Sequence, residues 1–380
     1  MIFHFCKAGE TLLSIAREYG ISPVRLLEEN ALADPDRLAV GQCLVIYRSA
    51  RSYTVRGGDT LNDICRRFRT TAAEVRKFNP SIGERHLLYP GQTISLGRAE
   101  AAQGCLSVNG IVSLDVSLPT LMNFASALTY ITILLGSEFV RSHKSVSKCT
   151  DIVAFARQKG ILPFAMISLS ELEGELLEMI CDYGIRGVLI AADSRAASLE
   201  NAVSDARARG LAVGILGPCS DAMLSSQADW ITPTANSPTE CFSESCARLR
   251  RDADSDLYRL MPLLPPFAAE AADGEGAPSS LMMSECAAYA YKRNVPIERD
   301  GADCPFIRYD KAHHGKTEKR TLRFEDLASI KNGLTEIGES GMSGLTMYLE
   351  ATPMAACTLL HQCFDIIRAE GERGGEHLHR

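Results

Sequence analysis

Gly9-Glu10-Thr11-Leu12, followed by Ile15, Tyr19, Asn30 and Gly41-Gln42, returns as Gly58-Asp59-Thr60-Leu61, followed by Ile64, Phe68, Asn79 and Gly91-Gln92. The offset is 49 residues and grows to 50 at the closing Gly-Gln, so one residue has entered a loop. A period this short means two small modules in tandem. In each, Phe3-His4-Phe5 or Tyr53-Thr54-Val55 runs extended into a turn. Thr11 and Thr60 are N-caps for a helix whose apolar stripe is Leu12, Ile15, Ala16, Tyr19, or Leu61, Ile64, Cys65, Phe68. Gly20 stops the first of these helices. A second helix opens at Ser22-Pro23 in one copy, and at Thr71 with Glu74 three residues on, a capping box, in the other. Each unit closes on Gly-Gln and a strand, Cys43 to Ile46 or Thr93 to Leu96, giving strand, helix, helix, strand.

The Gly-Glu/Asp-Thr-Leu turn, the Asn ending the second helix and Leu88-Tyr89-Pro90-Gly91-Gln92 resemble the LysM module. That resemblance implies binding of N-acetylglucosamine-containing glycans such as peptidoglycan or chitin, with the sugar between the first turn and the loop before the last strand. The implied glycan-binding residues are Gly9, Glu10, Thr11, Leu12 and Asn30 in one copy. In the other they are Gly58, Asp59, Thr60, Leu61, Asn79, Pro80 and Ile82. The competing reading is that the Thr and Asn residues only cap helices.

At 380 residues the chain is long for one domain. Residues 1–97 hold thirteen Lys/Arg against ten Asp/Glu, which leaves the remainder acidic within an overall net charge of −7. An acidic large domain excludes nucleic acid as an expected partner, because phosphate neutralisation needs clustered basic groups. Thirteen cysteines are scattered without Cys-x-x-Cys pairs and read as small reduced core residues. His313-His314 and His377-Leu378-His379 lack a partner set at zinc spacing, so neither metal nor other cofactor is expected. No basic and apolar leader precedes the first module, so no signal peptide is expected. Val116 to Ser137 carries no charge but contains Pro119 and Asn123; it divides into a helix (Thr120 to Leu128) and a buried strand, not a membrane span.

The modules occupy 1–48 and 51–97, a linker 98–105, the large domain 106–370 and a tail 371–380. In the large domain, apolar runs alternate with helical segments such as Thr150–Lys159, Glu171–Tyr183 and Ser198–Arg209. The predicted strands are 108–116, 130–135, 162–167, 187–192, 212–216, 230–232, 260–264 and 344–348. Eight strands alternating with helices predict an α/β fold, a (β/α)8 TIM barrel. Phe306 to Tyr309 and Arg320 to Phe324, around a turn at His314-Gly315, read as an inserted β-hairpin.

Cys304 to Tyr309, Arg323-Phe324-Glu325-Asp326 with Ser329-Ile330, and Gly341-Met342-Ser343-Gly344 resemble glycoside hydrolase family 18 enzymes of spore-forming bacteria, the spore cortex-fragment-lytic N-acetylglucosaminidases. The resemblance implies a fourth strand ending Asp-Gly-x-x-x-Asp-x-Glu, with the Glu as general acid. The Asp orients the substrate's own acetamido group, which acts as nucleophile. Here the run reads Arg186-Gly187-Val188-Leu189-Ile190-Ala191-Ala192-Asp193. Arg186 and Ala191 replace both Asp residues, and Asp193, the one catalytic candidate, is a methylene short of the Glu. A shortfall of about 1 Å can cost about 100-fold. A Tyr expected at the end of strand six is missing from Trp230 to Thr234, and Tyr348 stands where a Trp floors the sugar subsite. Asp115 and Glu350 could face the same mouth.

The expectation is therefore a peptidoglycan-binding protein with an impaired barrel, a pseudoenzyme of sporulation or spore germination. It would be made in the mother-cell cytoplasm and laid on the spore coat or cortex surface, with spore coat proteins as further candidate partners. The alternative is an active N-acetylglucosaminidase on cortex fragments with Asp193 as acid.

Overall fold

The computed structural model describes residues 1–47, 51–79, 82, 87–98, 101–136, 143–172, 174–192, 196–272, 275–313 and 316–368. Pro80, Asp193, His314, Gly315 and the tail 371–380 lie outside these described residues. The first repeat forms β1 (Ile2–Phe5), α1 (Leu12–Tyr19), α2 (Pro23–Glu29) and β2 (Cys43–Ile46), with β1 antiparallel to β2. The second forms β3 (Ser52–Thr54), α3 (Leu61–Phe68), α4 (Ala72–Lys77) and β4 (Thr93–Ser95), paired the same way. Both threonines cap as their position demands: Thr11 Oγ1 accepts from Ser14 N (3.1 Å) and Thr60 Oγ1 from Asp63 N (3.2 Å). Thr71 accepts from Glu74 N (3.1 Å), but the Glu74 carboxylate turns to Lys77 (2.7 Å) instead of closing a box.

One asparagine staples each module. Asn30 Nδ2 donates to Leu26 O and Val45 O, both at 2.9 Å, while its Oδ1 accepts from Val45 N at 2.6 Å. Asn79 repeats the frame on Val75 O (2.5 Å), Ser95 O (2.7 Å) and Ser95 N (2.8 Å). The end of the second helix is thereby tied to the last strand by one buried amide. The Gly-Gln pair has a similar explanation. Gln42 Oε1 accepts from Ala39 N (3.0 Å) and Gln92 Oε1 from Tyr89 N (3.1 Å), each closing the turn before that strand.

Beyond residue 104 the chain alternates strand and helix. The strands are β5 (Cys105–Val112), β6 (Tyr130–Leu134), β7 (Leu162–Ser168), β8 (Gly187–Ala191), β9 (Ala212–Pro218) and β10 (Trp230–Thr234). The helices between them are α5 (Leu118–Phe124), α6 (His143–Gln158), α7 (Gly174–Asp182), α8 (Ala196–Ala208) and α9 (Asp221–Ser225), and α10 (Phe242–Asp252) follows β10. All these strands pair in parallel, and a later strand at Gly344–Tyr348 pairs with β5. The ring closes through residues 260–264. Met261 N donates to Ile231 O (2.8 Å) and Leu263 N to Pro233 O (3.0 Å) on one side. On the other, Leu264 N donates to Thr346 O (2.8 Å) and Thr346 N to Pro262 O (2.9 Å). Among the described residues no helix is long and apolar enough to cross a membrane.

Side-chain parity divides the ring into two cores, because successive residues of a strand face opposite sides. Val108, Ile131, Ala165, Val188, Ile215, Ile231 and Leu345 point outward to the helices. Ile111, Tyr130, Phe164, Leu189, Trp230 and Met261 fill the interior. Gly187 exists for that interior, since a Cβ there would lie 2.0 Å from the Phe164 ring.

The insertion after residue 264 is larger than a hairpin. β11 (Phe267–Ala272), β12 (Glu275–Met282), α11 (Cys286–Arg293), β13 (Ile297–Arg299), β14 (Pro305–His313) and β15 (Lys316–Arg323) build an antiparallel sheet in the order β12-β11-β15-β14-β13. The additional strands were illegible because Phe267–Ala272 reads FAAEAA, with no β-branched residue. The chain then forms α12 (Leu327–Ser340), β16 (Gly344–Tyr348), α13 (Ala355–Cys363) and β17 (Asp365–Ile366).

The first module docks on this insertion: Ile297 N donates to Val40 O (2.8 Å), and the Arg299 guanidinium lies 4.7 Å from the Phe5 ring centroid. Gly41 has no alternative there, since its φ is 81° and an added Cβ would sit 1.9 Å from Ile297 O. Arg25 then links the modules, donating to Tyr47 O (2.7 Å) and Ser95 Oγ (3.1 Å).

The reading of every cysteine as reduced needs correction. Cys241, at the N-cap of α10, and Cys304, at the start of the β14 hairpin, form a disulfide across a separation of 63 residues. No spacing rule could reveal it, because the insertion's fold brings the two together. Eleven other cysteines are free.

A deeply buried carboxyl is a second clamp between these parts. Glu325 accepts from Phe242 N (2.7 Å), the first amide of α10, and from Ser329 Oγ (2.6 Å) in α12. Burial pushes it up to about 7 from an ordinary 4.5. The folded chain thus holds a proton that the unfolded chain releases between those values, and stability falls as pH rises through that window. Its full ionisation costs about 3 kcal/mol. Glu325→Gln is expected to gain thermal stability over the parent between pH 5 and pH 8; a gap independent of pH would contradict this. Asn79→Ala removes the staple and leaves the Ser95 carbonyl and amide without that partner, while Val75 O keeps its bond from Phe78 N (3.3 Å), costing about 2–4 kcal/mol. Hydrogen exchange should then quicken across residues 51–98 while barrel amides stay protected, and unchanged exchange would refute the staple.

Candidate functional site

The first turn of each module is held by its acid. Glu10 Oε2 accepts from Lys7 N (2.7 Å) and contacts His4 Nε2 (2.9 Å). Asp59 Oδ2 accepts from Arg56 N (2.8 Å) and from Tyr53 OH (2.6 Å). The Lys7 amide holds the Glu10 carboxyl below its usual range, and the Tyr53 hydroxyl does the same for Asp59. Gly9 and Gly58, with φ of 82° and 88°, make the turn possible and stand exposed beside Thr11 and Thr60. Leu12, Leu61 and Ile82 are buried in the module cores. Asn30 and Asn79 are buried and fully engaged in their staples. Each first turn therefore exposes glycine backbone and a threonine, while acid and leucine support it from behind and the asparagine ties helix to strand.

The sequence named Tyr89 within the LysM-like run but not among the expected glycan-binding residues. Tyr89 is 65% exposed on the turn before β4, next to exposed Leu87. Its counterpart in the first module, Ala39, is buried against Ile297 by the docking contact. The only available signal was the break in repeat symmetry, Tyr against Ala.

At the barrel mouth, parity selects which residues can act. Ala191 ends β8 facing inward and lies in register with Ser168 of β7 and Leu216 of β9. Thr232 is fully buried, with its hydroxyl 3.2 Å from that of Thr346. Tyr348 ends β16 half-buried against the interior core, and burial raises its phenol. The nearby carboxylates are engaged on the rim. Glu350 accepts from Ser113 N (2.9 Å) and Ser113 Oγ (2.7 Å), tying β5 to β16, and exposed Asp115 pairs with Lys148. Arg186 is exposed, outside the ring. Among the described residues, no inward-facing position of the eight strands carries a carboxylate.

Residues 7–46 and 53–97 match the family model described as LysM domain. Over 98 residues the chain is 35% identical to the endolysin of Bacillus phage B103, covering 24% of this chain and 37% of that protein. Over 101 residues it is 32% identical to the cell wall-binding protein YocH of Bacillus subtilis strain 168, covering 25% and 34%. The chain thus spans about a third of the length of these curated relatives. The fold is similar to the crystal structure of the Bacillus megaterium QM B1551 spore cortex-lytic enzyme SleL, with a TM-score of 0.67 over 96% of this chain and 98% of that one, at 16% identity. The chain carries two LysM domains followed by a TIM barrel whose fold is similar to that of a spore cortex-lytic enzyme.

Proposed function

We propose that this protein binds peptidoglycan through its two LysM domains and that its barrel is catalytically impaired. The observation that carries the binding half is the repetition of the turn and its hydrogen bonds in both modules, with Gly9 and Thr11, and Gly58 and Thr60, left open to a ligand. Pro80 joins the second groove in this reading. The impairment is supported by Ala191, which offers neither an orienting carboxylate nor charge for an oxazolinium ion, and by Trp230 to Thr234, which lacks the tyrosine that the resemblance places at the end of that strand. Substrate-assisted hydrolysis needs acid, orienting group and acetamide holder acting together, and such units fail non-additively. The likeness of the barrel to a spore cortex-lytic enzyme supports placement on the spore coat or cortex surface, after synthesis in the mother cell. Free cysteines on this scale fit synthesis in a reducing compartment.

The rival reading, an N-acetylglucosaminidase with Asp193 as acid, draws on Tyr348, whose ring could still floor a sugar. A turnover assay on purified cortex fragments separates the two. The parent chain and Asp193→Ala should release equal background N-acetylglucosamine, and Ala191→Asp with Asp193→Glu should add little. Robust release abolished by Asp193→Ala would establish the enzyme. In parallel the parent chain should sediment with insoluble peptidoglycan; full recovery in the supernatant would sink the binding half.

A further inference from the structure

The two LysM domains share one frame but not one charge. Residues 51–97 hold eight Lys/Arg against four Asp/Glu, whereas residues 1–48 hold five against six. At the repeat offset, Ile2, Glu18 and Gly20 become Arg51, Arg67 and Arg69, while Lys7 and Arg17 stay basic as Arg56 and Arg66. Arg56 stands exposed on the glycan-facing turn, and Arg66, Arg67 and Arg69 are exposed on the last turn and cap of α3. Arg51 donates to Phe68 O (3.2 Å) at the same helix end, and Arg67 Nη1 to Tyr53 OH (2.8 Å) beneath the turn. Five guanidinium groups thus run from the turn along one side of the domain.

The fold does not require them. The first module closes the same turn, cap and staple with isoleucine, glutamate and glycine in those places. Arg69 even occupies a left-handed position, φ 52°, where the first module has Gly20 at φ 64°; a side chain there is disfavoured by roughly 1 kcal/mol. The acids on this face do not neutralise it. Asp63 reaches Arg66 at 3.6 Å, an exposed contact of small worth, and Asp59 reaches Arg67 only at 3.9 Å while already engaged by the turn. A cationic strip kept against local strain, in a chain of net charge −7, marks a surface for an anion.

We propose that the second LysM domain reads charge together with sugar: its arginine strip takes the carboxylates that peptide substituents place beside a glycan strand lying on the Gly58 turn. Guanidinium forks match carboxylates bidentately, and the strip is continuous with that turn through Arg56. The proposal rests on the glycan-binding reading above. The first domain, lacking the strip, binds the sugar chain without regard to its substituents.

The test uses the full chain, sedimented with peptidoglycan stripped of phosphate-bearing polymers and, separately, with chitin, an uncharged polymer of the same sugar. Arg56→Gln/Arg66→Gln/Arg69→Gly removes three charges, restores the glycine at the left-handed position and leaves the Arg67–Tyr53 contact intact. Affinity for stripped peptidoglycan should fall on the order of tenfold at low salt, three exposed charge contacts together. Chitin binding should hold within about twofold by the same accounting, which also certifies that the variant is folded. Equal loss on both polymers, or no loss on either, would overturn the proposal. So would parent binding that vanishes when phosphate polymers are stripped, or equally tight capture by double-stranded DNA. A parent chain that binds neither polymer sinks the glycan reading itself.

Discussion

Every inference about the barrel descends from one constraint, the two-residue alternation of side chains along strands that close into a ring. Each strand delivers a single side chain to the mouth, so the chemistry available there depends on which residues fall on the inward parity at the strand ends. In this chain that parity gives Ala191, Ser168, Leu216 and Tyr348, and below them an interior of Tyr130, Phe164, Trp230 and Met261. The same alternation makes the barrel stable: the outward set packs a continuous core against the helices while the inward set fills the ring. Stability and chemistry are therefore set by different halves of each strand. The mouth can lose its acids without disturbing the outer core.

The LysM domains follow a comparable division of labour. Buried polar groups do structural work: the asparagine amides tie helix to strand, the Gly-Gln glutamines close turns, and the acids fix the first loop. What remains at the surface is backbone, two threonines and, in the second domain, Tyr89 and the arginines. Docking differs as well. Val40 and Gly41 anchor the first domain to the insertion, Arg25 joins it to the second, and Arg98 donates to His361 O (2.6 Å) at the barrel's far end. The Cys241–Cys304 disulfide and Glu325 fasten the insertion side to α10 and α12, so the platform under the first domain is itself braced.

Much of this was legible in the sequence, for identifiable reasons. The repeats announced themselves through turn and cap residues whose local geometry is strict, such as Gly9, Thr11 and Gly41. The seven barrel strands and the closing segment 260–264 were visible as short apolar runs because both faces of each are buried. Most of the insertion was not: Phe267–Ala272 has no strand preference of its own and is strand only because β12 and β15 flank it. The disulfide depended on that same hidden topology. At the first turns the sequence could not separate groups left exposed from groups that hold the loop; Glu10, Asp59, Asn30 and Asn79 are engaged by the fold.

We propose that the barrel mouth lacks the machinery for stabilising a cyclised acetamide. Transition-state mimics bind far more tightly than substrates wherever that machinery survives. Titration calorimetry of the full chain with a thiazoline analogue of the N-acetylglucosamine oxazolinium measures the point directly. The account expects no saturable heat at millimolar analogue; micromolar binding abolished by Tyr348→Ala would contradict it.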